Sequence, residues 1–182
     1  MKRILISGTT MLALAFPAGA LAEETAPSPA KNAAKTCSAL RTASGEANFK
    51  AAFGTNKTKS NAFGKCVSKQ TKVEEAAVKA SKNACNTEQD DPNFAASHDG
   101  KTFNQFYGTN KNGKNAYGKC VSAQAKAAHA DETDTKVKAA KTCKTERKTL
   151  GREAFTAKYG GKANAFGKCI SAEAKADKAA RS

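Results

Sequence analysis

Large apolar residues are sparse along the chain and recur in a fixed order. After an uncharged, mostly apolar run over residues 4–21, bulky side chains come in small groups separated by stretches of Ala, Lys, Glu and Gln. Each group holds two aromatics at i and i+4: Phe49 and Phe53, Phe103 and Tyr107, Phe155 and Tyr159. That spacing places both rings on one face of a short helix. A glycine follows each pair (Gly54, Gly108, Gly160), and then a polar loop of Thr, Asn, Lys and Gly. The loop ends at Asn61, Asn115 or Asn164, each a suitable N-cap, with a third aromatic just beyond it. Residues 61–84 and 115–148 contain no proline and no glycine outside one motif position. They are dominated by good helix formers, which predicts long helices, with Thr133, Asp134 and Thr135 as the place where the second could break. The Ala- and Lys-rich segment before each aromatic pair predicts a helix end, with Gly45 and Gly151 as stops.

The same order is a threefold repeat. The motif N-A-[FY]-G-K-C-[VI]-S occupies residues 61–68, 115–122 and 164–171, and a further cysteine lies upstream of each copy at Cys37, Cys85 and Cys143. The first and third copies align without a gap through Arg41 and Arg147, Gly45 and Gly151, and Phe49 and Phe155. The second has Gln89 in place of the arginine and extra residues before Phe103, and the third has a shortened loop, GKA. Length changes confined to two places mark loops. The expected fold class is all-α: three tandem disulfide-stapled helical modules over residues 35–72, 83–124 and 141–175. Long shared helices are favoured over flexible charged linkers as their connection.

Each module offers a thin core: three aromatics, one branched residue (Val67, Val121 or Ile170) and some alanines. So thin a core gives little hydrophobic stabilisation against the conformational entropy of ordering ~40 residues. A staple is expected, and a disulfide closing ~30 residues contributes on the order of 3–4 kcal/mol. If Cys66 and Cys85 share one helix they stand about 30 Å apart, far beyond the ~7 Å between Cα atoms that a disulfide allows. The pairs Cys37–Cys66, Cys85–Cys120 and Cys143–Cys169 avoid this conflict.

Lys2 and Arg3, the apolar run and Ala20-Leu21-Ala22 read as an export signal over residues 1–22, followed by a Pro/Ala linker over residues 23–34. Export places the cysteines in an oxidising compartment, so the expected localisation is secreted or cell-envelope associated. Removing Lys2 and Arg3 from the 31 basic residues leaves 29 against 16 acidic, a net charge of +13. Only Arg41, Arg147, Arg152 and Arg181 are arginines; the rest are lysines. Lysine is a hydrated point charge, suited to diffuse attraction to a polyanion, although lysines also simply solubilise helix faces.

Candidate chemistry is weak. Residues 108–115 nearly spell a P-loop but have Asn where Ser or Thr must meet magnesium, and no strand precedes them. The same loop lacks the aspartates and closing glutamate of a calcium site. Each motif helix opens with free backbone N–H groups and has Lys65, Lys119 or Lys168 one turn in, which makes these lysines candidate anion ligands. Their competing role is a solvated helix face, with the preceding glycine permitting close packing. His98 and His129 have no repeated partners and no placed nucleophile, so a non-enzyme without cofactor or metal is expected.

The motif NAFGKCVS, with C-x3-R and F-x3-[FY]-G upstream, resembles repeats of uncharacterised exported Cys-pair proteins of high-GC Gram-positive bacteria. The likeness covers roughly residues 35–173 and implies no activity. From charge and repetition, the expected function is binding of polyanions such as cell-wall polymer, extracellular DNA or acidic polysaccharide. Multivalency then accounts for the three copies. A membrane-active cationic protein and a structural spacer without a ligand are the alternatives. Membrane activity needs a broad apolar face, and here the bulky residues cluster around the cysteines.

Overall fold

The computed structural model describes residues 28–161 and 164–181. The expected export signal and the first part of the expected linker lie outside the described residues. Among the described residues there are seven helices and no strand: α1 (Pro29–Ser44), α2 (Glu46–Phe53), α3 (Ala62–Gln89), α4 (Phe94–Ser97), α5 (Phe103–Tyr107), α6 (Ala116–Lys158) and α7 (Ala165–Ala179).

Local chemistry sets the helix ends. Proline opens α1, where its missing N–H costs nothing, so α1 begins inside the stretch read as a linker. Gly45 separates α1 from α2 at φ 82°, ψ 154°, a region that residues with a Cβ rarely enter. Gly151 takes the same conformation, φ 78° and ψ 165°, and kinks α6. Asn61 and Asn115 stand at the N-cap positions of α3 and α6, but their side chains cap no helix. Each closes the preceding loop instead: Asn61 Oδ1 accepts from the Thr55 N–H at 3.0 Å, and Asn115 Oδ1 from the Thr109 N–H at 3.1 Å. Thr133 to Thr135 do not interrupt α6. Thr133 and Thr36 join their hydroxyls at 2.7 Å, and Thr135 is buried.

The long helices decide the arrangement. α3 runs 28 residues, about 42 Å, from the first module to the second, and α6 returns beside it. Contacts along the pair show the antiparallel register: Lys136 Nζ donates to Gln70 at 2.6 Å, His129 Nδ1 to Glu74 at 2.8 Å, and Tyr117 OH to the Lys82 carbonyl at 3.3 Å. The second module therefore occupies the far end, and the first and third lie side by side at the other.

The core divides accordingly. One cluster joins Cys37, Leu40, Phe49 and Cys66 of the first module to Cys143, Phe155, Phe166, Cys169 and Ile170 of the third. A smaller one holds Cys85, Phe94, Phe103, Ala116 and Cys120 of the second. Phe94 comes from that module's insertion and meets Phe103 edge-on at 5.5 Å. The insertion supplies apolar contact that the other two modules obtain from each other. Three disulfides staple the helices, Cys37–Cys66, Cys85–Cys120 and Cys143–Cys169, with Cα atoms 5.9, 6.0 and 6.0 Å apart. These are the pairs that the shared-helix argument selects.

Candidate functional site

The three motif lysines do not converge. Lys65 stands exposed on α3. Lys119 borders a cleft between α1, α3 and α6 beside Lys35, Lys126 and His129. Lys168 lines another cleft, of about 510 Å³, with Lys69, Lys136, Lys175 and Lys178 around a floor that includes Leu40 and Ile170. In that second cleft part of the positive charge is already balanced. Glu132 bonds Lys136 at 2.6 Å and also Lys178. Burial pushes the Glu132 carboxyl up, but the bonds from Lys136 and Lys178 outweigh it and hold the group below the usual carboxylate range.

Further ion pairs fasten α7 to α6. Asp177 takes Lys138 at 2.6 Å and Arg181 at 2.9 Å, and Arg181 also reaches Asp131 at 2.5 Å and the Thr135 hydroxyl at 2.6 Å. The Lys138 ammonium is the main reason that Asp177 sits below its ordinary value.

Two polar contacts escaped the sequence pattern. In the second module Tyr107 OH donates to Glu88 at 2.7 Å, and Gln124 donates to the other carboxylate oxygen at 2.7 Å. In the third, Tyr159 OH donates to Glu146 at 2.7 Å and Lys158 takes the second oxygen. Burial raises both phenols above the ordinary tyrosine value, and the bonds to Glu88 and Glu146 act in the same direction. The Lys158 ammonium holds Glu146 below its usual range against the effect of burial, with help from Tyr159. The first module has Leu40 and Phe53 at the matching positions. The signal was the joint exchange of both residues between copies. The other contact is the buried Glu74, bonded to His129 and, at 3.4 Å, to Asn32. His129 thus ties α6 to α3, and His98 stacks on Phe94 at 3.8 Å.

A third cleft lies where α6 faces the end of α1 and the start of α2. It is a shallow, solvent-open depression of about 840 Å³, bordered by Lys141, Lys144, Arg147, Lys148 and Arg152 on one side and by Thr42, Ala43 and Asn48 on the other. Arg147 donates to the Asn48 side-chain oxygen. Arg147 and Arg152 also line the adjoining cleft toward Lys50 and Lys59.

The fold defines a disulfide-stapled all-α protein with two cores. Comparison of the chain with protein-family models, with curated proteins and with solved structures finds no match. Among the described residues no group of His, Cys, Asp and Glu is arranged to hold a metal ion, and no helix is long and apolar enough to cross a membrane. Between the first and third modules the surface carries clustered lysine and arginine side chains on a stapled frame.

Proposed function

We propose that the chain is exported, loses its first 22 residues and serves as a non-enzymatic basic protein that binds polyanions in the cell envelope or outside the cell. The supporting observation is the unequal use of charge. Glu74, Glu88, Asp131, Glu132, Glu146 and Asp177 are engaged in contacts inside the molecule. Among the described residues, the cations between α1 and α6 face no carboxylate within ion-pair distance. A cluster of uncompensated cations on a stapled frame attracts a polyanion, whose counterions are released on binding. A lipid surface is a poorer fit, because the exposed large apolar residues among those described, Phe106 and Leu150, belong to different modules and form no common face.

The test is a binding survey with oxidised protein lacking residues 1–22, against DNA, a polyol-phosphate wall polymer, an acidic polysaccharide and anionic vesicles. Binding to at least one polymer is expected to weaken steeply between about 50 and 200 mM salt. No measurable binding to any polymer at about 150 mM salt contradicts the proposal and leaves the structural spacer as the better description.

A further inference from the structure

We propose that the polyanion is a chain of phosphodiesters and that it is held in the groove between α1 and α6 by Lys144, Lys148 and Arg152, around the guanidinium of Arg147. This rests on the polyanion function above and gives it a place and a chemistry. The motif lysines have neither a common location nor a common setting, whereas this groove collects five cations from a single segment.

The first reason is the cost of that arrangement. Lys141 and Lys144 stand at i, i+3 on α6, and Lys144 and Lys148 at i, i+4. Like charges at these spacings destabilise a helix. Earlier on the same helix the lysine Lys136 is matched by Glu132 at i−4. Within the groove no such compensation exists among the described residues. A ligand anion is the missing counter-charge.

Shape is the second reason. These side chains border a shallow, solvent-open depression whose other side is small and neutral: Thr42 and Ala43 of α1 and Asn48 of α2. The third module contributes the charge, and docking against the first contributes the wall. Aligned on the repeat, Lys144 and Lys148 correspond to Ser38 and Thr42, so one such groove exists per molecule. From Lys141 to Lys148 the helix rises about 10 Å, long enough to meet more than one phosphate of an extended strand.

Arginine is the third reason. Two of the four arginines outside the expected signal, Arg147 and Arg152, are here. A guanidinium offers several N–H donors in a fixed fork that fits tetrahedral phosphate oxygens. Asn48 holds one N–H of Arg147 and so orients the group, leaving its other donors for a ligand.

The deciding experiment compares two triple variants that remove equal charge: Lys144→Gln/Lys148→Gln/Arg152→Gln in the groove and Lys65→Gln/Lys119→Gln/Lys168→Gln in the motif. The groove residues are exposed and lie outside both cores, and unchanged helicity by circular dichroism checks their fold. Fluorescence anisotropy with single-stranded oligothymidylate, poly(glycerol phosphate) and polygalacturonate reads affinity across a salt series. The groove variant is expected to lose at least ~10-fold more affinity for the phosphodiester chains than the motif variant. Its slope of log K against log salt for the oligonucleotide should shrink by about 2, the share of three contacts at ~0.7 each. Arg152→Lys, which keeps the charge and loses the fork, should still weaken binding about threefold. Whichever phosphodiester binds more tightly through the groove identifies the source. Equal losses from both triple variants overturn the groove while leaving polyanion binding by diffuse charge intact. Polygalacturonate bound as tightly as the phosphate polymers overturns the phosphodiester assignment. Failure of the unmutated protein to bind any of the three at ~50 mM salt overturns the groove together with the function it rests on.

Discussion

A half-buried phenol needs a partner for its hydroxyl, and Tyr107 and Tyr159 find one in a glutamate on the helix that carries the first cysteine of the module. The first module solves the same packing problem without polarity, with Leu40 buried and Phe53 packed beside the core. These pairs behave as units. Replacing Tyr159 by Phe should cost about 1 kcal/mol, the net worth of one hydrogen bond, and Glu146→Leu alone should cost at least as much. The double variant Glu146→Leu/Tyr159→Phe, which installs the first module's pair, should cost less than the sum by roughly 0.5–1.5 kcal/mol. Chemical denaturation of the four proteins measures this, and strict additivity would refute the coupling. The exchange was visible in the aligned copies, but reading it required knowing that the two helices face each other. Glu74 carried no such trace: it sits beside Glu75 in an ordinary polar stretch, and only the antiparallel return of α6 brings His129 to it.

At the scale of elements, the glycines divide by what surrounds them. Gly151 has a φ of 78°, which an L side chain rarely adopts, so Gly151→Ala should lower stability by about 1–3 kcal/mol. Gly64 and Gly118 lie in helices with open space where a Cβ would be, so Gly64→Ala and Gly118→Ala should be neutral or stabilise by up to ~0.5–1 kcal/mol. Thermal unfolding with opposite signs is the expected result; a destabilising Gly64→Ala would show a packing role that the geometry lacks. The close helix approach considered for the motif glycines holds at Gly167, where a Cβ would come within 3.2 Å of the Ala52 carbonyl oxygen. Helix positions and the three disulfides were legible because composition, loop length and covalent geometry act locally. The asparagines were placed correctly and understood wrongly. Their side chains reach back to Thr55 and Thr109 because the loop between is only a few residues long and leaves those N–H groups without other acceptors.

At the scale of the molecule, the repeat predicts three tandem modules joined by long shared helices, and the chain folds back so that the first packs against the third. The folding-back follows from two long helices of opposite direction, but no residue pattern announces which modules dock, because the contact uses alanines such as Ala139, Ala140 and Ala165 alongside the motif aromatics. The same docking creates a second candidate site in addition to the motif lysines. Lys65, Lys119 and Lys168 are conspicuous in the repeat yet end up on separate surfaces. Lys144, Lys148 and Arg152 look like ordinary solubilising residues until α1 supplies the opposite wall. The central claim is that this docked pair of modules presents one cationic groove to a polyanion. Lysine footprinting of the unmutated oxidised protein, by acetylation and mass spectrometry with and without a saturating phosphodiester polymer, tests it most directly. The account predicts that Lys141, Lys144 and Lys148 become protected together while Lys65 and Lys119 react as in the free protein. Uniform protection of all surface lysines, or protection centred on the motif lysines, would contradict it.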